Sequence, residues 1–450
     1  DRTVQPEMAE VKYHYQTLKF VDAGAKDGKV EILNYALFTD PAEKYEFHWA
    51  LLRDDTILEE GILDDAQLHI PCVDAQTNQP GSAQIVIPFS IEDSWRTPGS
   101  EFFLNLTVTL KADDGLLKAG HVVAMEQFEL FFCKTEKEKE ELPDIEVVRT
   151  EGGVIVTGRD FAATFDEAAG TLSAYEADGK ALLAGGIEGN FYRAATDNDT
   201  GFGYGLTVFN GAWKDASEYT VDSFRVLRDE QSADIIIRGH YDALNGTTLD
   251  THYTVYGDGS IAVQVTIVPN YNKELVYVPV AGVQMTLPAG YEQMTWFGYG
   301  PEENYIDRCK GTKVGRYATT VTENFFPYVK SSETGNRTQV RWLSLTDESG
   351  FGLLVSAVGK SFEASALHYT VEELDRHTHP YELEKLEDTI LRINAIQIGV
   401  GGDNSWSRIV PHEQYLPDAE IYRYTFVLSP LRAGEDAMEK CVALRNRAAE

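Results

Sequence analysis

Basic residues are scarce in this chain. It holds 39 Lys and Arg against 72 Asp and Glu, a formal net charge of −33. Phosphate binding needs a basic stripe, so nucleic acid is excluded as a partner, and an anionic membrane surface would repel the chain for the same reason. No apolar run reaches the roughly 18 residues that a membrane helix requires, and the first residues do not read as a signal peptide. Cysteine is scarce too: Cys72, Cys133, Cys309 and Cys441 lie far apart and form no CxxC pair. That pattern suits reduced thiols and a cytoplasmic setting, with the periplasm as the alternative. An initiator methionine is missing, since the first Met is Met8, and Asp1-Arg2-Thr3 reads as the cut end of a longer chain. Core material is not lacking. Hydrophobic residues make up 43% and aromatics 11%, with 23 Tyr and 21 Phe, which excludes a disordered chain. A length of 450 residues suits two or three domains.

Long helical periodicity is absent until the last residues, where Ala437, Cys441, Leu444 and Ala448 fall on one face of a short helix. The dominant period is two. Tyr45, Phe47, Trp49 and Leu51 alternate with polar or small residues, as do Leu104, Leu106, Val108 and Leu110, and Phe128, Leu130 and Phe132. Each reads as a strand with one face in a core. Gly257-Asp258-Gly259-Ser260 is a hairpin turn between Tyr253-Val255 and Ile261-Val263, and Asp166 to Gly170 and Asp178-Gly179 are further turns. The chain is therefore all-β. A charged run from Lys134 to Leu142, closed by Pro143, offers no alternation on which a strand could pack. The expected division is an immunoglobulin-like sandwich over 1–134, a linker over 135–143, and a large two-sheet antiparallel super-sandwich over 144–450.

One loop stands out chemically: Gly399-Val400-Gly401-Gly402-Asp403-Asn404-Ser405-Trp406-Ser407. Glycines open backbone conformations closed to other residues, while Asp, Asn and Ser hold turns through side-chain to backbone bonds. An indole on such a loop can stack on the C–H face of a pyranose, with Asp403 and Asn404 free to bond hydroxyls. The plainer alternative is a Trp tucked over a sheet edge.

Two further clusters, Trp296 to Arg308 and Tyr192 to Gly201, accompany this loop in order. Together with Asp1-Arg2-Thr3, Gly99 to Leu106 and Ala119-Gly120-His121, they resemble the C-terminal part of the large bacterial β-galactosidases of glycoside hydrolase family 2. The resemblance spans essentially the whole chain. It implies an immunoglobulin-like domain and a super-sandwich leaning over the site of a catalytic barrel, with Trp406 as the indole lining the sugar site. It also implies that Asp197, Asn198, Asp199 and Gly201 belong to a loop at that site, Gly201 being its hinge. From Gly201 to Asn210 the loop is glycine-rich and lacks the acidic and basic residues of the family loop. The family is often dependent on Mg or Na ions, but no residue here can be assigned to one, and no cofactor is expected of this portion. Its partners would be a β-galactoside, the barrel of the parent chain and, in the parent, further copies of itself.

Retaining hydrolysis needs two carboxylates about 5–5.5 Å apart. The family takes both from its barrel, and no alternation of strands and helices marks a barrel here. Neighbouring carboxylates such as Glu302-Glu303, Glu372-Glu373 and Asp54-Asp55 point apart on a strand or into solvent at a turn. No catalytic residue is expected, and the chain alone should be inactive. Asp197-Asn198-Asp199-Thr200-Gly201 begins like a calcium loop but lacks the later bidentate Glu. His377-Thr378-His379 has no evident third ligand for zinc. The competing reading is an autonomous carbohydrate-binding module.

Overall fold

A computed structural model describes residues 3–136, 141–200, 211–216, 218–272, 275, 277–402, 404, 412–418 and 420–448. It divides into two compact units. One is Asp1–Glu136 with Lys310–Gly315; the other is Lys137–Cys309 with Arg316–Glu450.

In the first unit the alternating segments become strands with one buried face. Tyr45–Arg53 and Glu101–Leu110 pair antiparallel with Trp49 opposite Leu106, inside a four-stranded sheet. A three-stranded sheet of Leu18–Asp22, Lys29–Asn34 and Gly81–Val86 faces it. Phe47, Trp49, Leu104 and Leu106 from one sheet and Leu18, Ile32 and Ile85 from the other share one core. The unit also holds a helix, Glu7–Tyr15, that the sequence does not announce. None of its residues is buried, so it has no apolar core face to detect. Polar contacts fasten it instead: Tyr13 Oη donates to Glu126 at 2.6 Å, and Gly311 N donates to Glu10 Oε2 at 2.8 Å. Gln127 brackets Val314, accepting its N–H at 2.7 Å and donating to its carbonyl at 2.9 Å, which ties the Lys310–Gly315 excursion into this unit.

The second unit has three sheets around one core, rather than the two expected. A nine-stranded sheet runs in the order Tyr219–Arg228, Ser232–Tyr241, Thr247–Tyr256, Ile261–Val268, Tyr422–Leu431, Gly352–Val358, Trp342–Thr346, Gln293–Gly300, Lys313–Thr320. A five-stranded sheet spans residues 146–183. A second five-stranded sheet follows the order Gly185–Asn190, Val280–Leu287, Thr389–Gln397, Phe362–Leu367, Arg337–Val340. The turn at Gly257 to Ser260 joins Val255 to Ile261 across the hairpin as its residues predict. The C-terminal helix is Ala437–Ala448, with Ala437, Cys441 and Leu444 buried.

The last of these sheets is covered on both faces. Val283, Met285, Leu391, Ile393, Ala364 and Ala366 enter the apolar core. The alternate positions on its central strands are polar yet buried: Glu363, Ser365, Arg392 and Asn394.

Candidate functional site

The site is built on that polar face. Above it, Thr196-Asp197-Asn198-Asp199-Thr200 makes a single helical turn over Asp197–Thr200. Thr196 and Asp199 cap it reciprocally. Asp199 N donates to Thr196 Oγ1 at 3.2 Å, and Asp199 Oδ2 accepts Thr196 N at 3.0 Å. The Asp199 carboxylate also takes Nε and Nη2 of Arg193, at 2.9 and 2.8 Å. Asp199 thus turns inward, and the segment makes a tight turn in which this carboxylate is taken by Arg193. The paired guanidinium competes for the carboxylate and wins, because it is desolvated together with it.

Arg193 and Asp199 are buried completely, with 0% and 1% of their side chains exposed. Such a pair is tolerable only if its remaining hydrogens find acceptors. Arg193 meets that condition through Ile398 O at 2.6 Å and Gly399 O at 2.8 Å. Burial by itself would pull its pKa down, but the adjacent Asp199 outweighs this and raises it, so the cation persists.

Three more contacts fasten the same backbone. Asn198 Nδ2 donates to Val400 O at 2.6 Å, while Asp307 accepts Val400 N at 3.0 Å and Gly401 N at 2.7 Å. Glycine leaves room at 399 for the Asp307 carboxylate, since a Cβ there would stand 2.6 Å from Asp307 Oδ2 and force it to shift. The root of the 399–407 loop is therefore clamped from one side by Arg193 and Asn198 and from the other by Asp307.

Around this clamp lie further buried acids, each occupied. Glu303 accepts Arg308 Nη2 and Tyr328 Oη, both at 2.5 Å, Thr334 Oγ1 at 2.9 Å and Gly335 N at 2.6 Å. Glu333 and Arg392 form a two-pronged pair at 2.9 and 3.0 Å, and Arg392 Nε donates to Ser365 Oγ at 2.8 Å. Lys330 Nζ reaches Ala195 O at 2.5 Å, and Glu333 N reaches Ala194 O at 3.0 Å. These bonds position the backbone that leads into the Asp197 turn.

The structure thus brings together two segments that the sequence marks separately, Asp197–Asp199 and the start of the 399–407 loop. Asp197 is exposed, Asn198 half-buried, and Asn404 half-buried. Trp406, Asp403 and Gly201 lie outside the described residues. Arg193 and Asp307 stand within the quoted clusters, yet nothing local reveals their partners. Glu333, Glu363 and Arg392 are unannounced by any motif. The one usable signal is a single charge inside an apolar strand, as in Ile390-Leu391-Arg392-Ile393. Among the described residues no group of three or more His, Cys, Asp or Glu could hold a metal ion.

The sequence matches the β-galactosidase small chain over residues 157–428 and β-galactosidase domain 4 over 30–131. The chain belongs to the β-galactosidase small-chain family. Every residue of the clamp falls inside the small-chain match. A β-galactosidase of Priestia megaterium is 31% identical over 435 residues, covering 96% of this chain and 40% of that protein. One of Halalkalibacterium halodurans is 30% identical over 422 residues, covering 93% of this chain and 40% of that protein. The chain thus spans 40% of the length of these β-galactosidases. Among solved structures, a GalM/aldose epimerase homologue from C. elegans overlays with a TM-score of 0.32 at 10% identity, covering 65% of this chain and 100% of that one. A likeness that weak carries no argument. No disulfide joins the four cysteines, and among the described residues no helix is long and apolar enough to cross a membrane.

Proposed function

We propose that this chain is the C-terminal portion of a family 2 β-galactosidase, shaping the galactoside site without carrying out hydrolysis. The observation that carries the reading is the shared footing of two loops. The Asp197 turn leads into the glycine-rich loop from Gly201, and Ile398–Gly401 leads into the loop of Asp403, Asn404 and Trp406. Arg193 and Asn198 fasten both to each other. A sugar ring held between such loops needs its aromatic platform fixed to within a fraction of an ångström, and a rigid root supplies that.

Trp406 is the stacking platform in this reading, with Asp403 and Asn404 bonding sugar hydroxyls. The partner is the catalytic barrel of the parent chain, which supplies the nucleophile and the acid/base, and the parent assembles as a homo-oligomer. The acids of the clamp do not suit catalysis. Asp199, Glu303, Glu333 and Asp307 are each consumed by a guanidinium or by backbone N–H groups. A free pair able to attack and to protonate is what retention needs.

The purified chain should give no turnover of a chromogenic β-galactoside above buffer. Turnover that persists after rigorous removal of host enzyme would overturn the reading. In the complete enzyme, Trp406→Ala should raise KM about 5- to 150-fold, the equivalent of about 1–3 kcal/mol of lost apolar contact, with a smaller effect on kcat. An unchanged KM would remove the platform role.

A further inference from the structure

Asp375 lies near the end of the helix Val371–Arg376, and its carboxylate meets two stretches of chain at once. Oδ1 accepts Ala195 N at 3.0 Å, and Oδ2 accepts Lys214 Nζ. Ala195 directly precedes the turn that starts at Thr196, while Lys214 comes after the glycine-rich stretch from Gly201 to Asn210. One side chain therefore touches the segment 196–213 just before it begins and just after it ends. The helix itself is held independently of either contact. Val371 and Leu374 are buried in the apolar core, Thr370 Oγ1 accepts Glu373 N at 3.1 Å, and Ser331 Oγ donates to Leu374 O at 2.8 Å. A second acid of the helix repeats the grip on the entry side, where Glu372 Oε1 accepts Tyr192 Oη at 2.6 Å. On the exit side Trp213 is fully buried, with Nε1 donating to Tyr277 O at 2.8 Å and its ring 5.9 Å from that of Phe191. Lys214 Nζ stands 5.6 Å from the centre of the Tyr192 ring. The two stems thus close on one another, and Asp375 is bonded to both.

We propose that Asp375 is a positioning residue that fixes the separation of the two ends of the segment 196–213. The clamp of Arg193, Asn198 and Asp307 ties the start of this segment to the root of the 399–407 loop and leaves its far end untouched. Asp375 supplies the second point of attachment. A segment held at one end can swing about it, whereas one held at both ends by a single rigid group cannot. A carboxylate suits the task, because its two oxygens serve two partners and its charge strengthens both bonds. The bracing of the stems stands apart from the galactoside reading; its effect on sugar binding rests on that reading.

Hydrogen exchange in the 450-residue protein reads the two stems separately, in peptides covering 191–196 and 212–216. D375A should loosen both, the Ala195 stem about ten- to a hundredfold and the partly exposed Lys214 stem about two- to fivefold. D375N keeps an oxygen for Ala195 N but loses the charge that holds Lys214, so it should loosen the second stem and largely spare the first. K214M should do the same. Stems indifferent to D375A, or an equal loss in strand peptides of the nine-stranded sheet, overturn the proposal. If D375A fails to fold, D375N and K214M decide, since the Lys214 side chain is 41% exposed and tolerates change. Wild-type protection of the Lys214 stem in both of these variants overturns it too. In the complete enzyme, D375N should raise KM about two- to fivefold with little change in kcat. A KM that responds to Trp406→Ala but not to D375N would overturn the positioning role alone, whereas a KM indifferent to Trp406→Ala would count against the galactoside reading.

Discussion

The guanidinium of Arg193 holds a carboxylate six residues ahead of it and two carbonyls 205 and 206 residues away. Removing it leaves Asp199 buried without its cation, which costs far more than the net worth of the pair. Arg193→Met should lower the unfolding free energy by about 3–5 kcal/mol, read from the denaturant midpoint. The double variant R193M/D199L should recover part of that, because no charge is then left unpaired. A midpoint for R193M equal to the wild type would show that the pair fastens nothing. This residue also illustrates how far a sequence can be read. The stretch Tyr192 to Gly201 stands out as a cluster of aromatic and acidic residues, but the meaning of its arginine lies in partners that only the folded chain brings near. Asp307 is the same case, with its two N–H partners 93 and 94 residues on.

Elements were legible where one face meets solvent. Tyr45–Arg53 and Thr247–Tyr256 alternate buried with half-exposed positions, so period two is visible in their residues. Phe362–Leu367 is buried throughout, and on Thr389–Gln397 only two positions are less than buried. Their polar residues pair with one another instead of with water, and alternation no longer reports which face is the core. The helix Glu7–Tyr15 escaped for the opposite reason, having no apolar inner face. The loop root offers an element-scale test. Gly399→Ala would push a methyl group against the Asp307 carboxylate and displace it from Val400 and Gly401. Bonds to a charged acceptor are worth about 1.5–3 kcal/mol, so local protection should fall by roughly ten- to a hundredfold while the global melt changes little. Equal loss across all strand peptides would mean the clamp is part of the general core.

At the scale of the whole molecule, the all-β class and the family are legible because they repeat over many residues. The third sheet of the second unit and the Lys310–Gly315 excursion are not, since each depends on pairings between distant segments. The charged stretch from Lys134 to Pro143 has no strand alternation and sits where the two units divide. Limited proteolysis should cut there first, with mass analysis locating the nick. A first cut within residues 150–290, the connector intact, would argue for a single cooperative body.

The clamp also sets an order of events during synthesis. Asn198 meets Val400 across 202 residues, and Arg193 meets Gly399 across 206. A ribosome adding about 5–20 residues per second needs on the order of 10–40 seconds to cover that interval. Throughout it, Arg193 has been made but its carbonyl acceptors have not, so a nascent chain ending before Ile398 cannot satisfy the cation it must bury. The two loop roots are thus joined only once nearly the entire second unit has been translated. A product truncated there would also lack Tyr422–Leu431, the strand that joins the two halves of the nine-stranded sheet, so sheet and clamp are completed together at the end of synthesis.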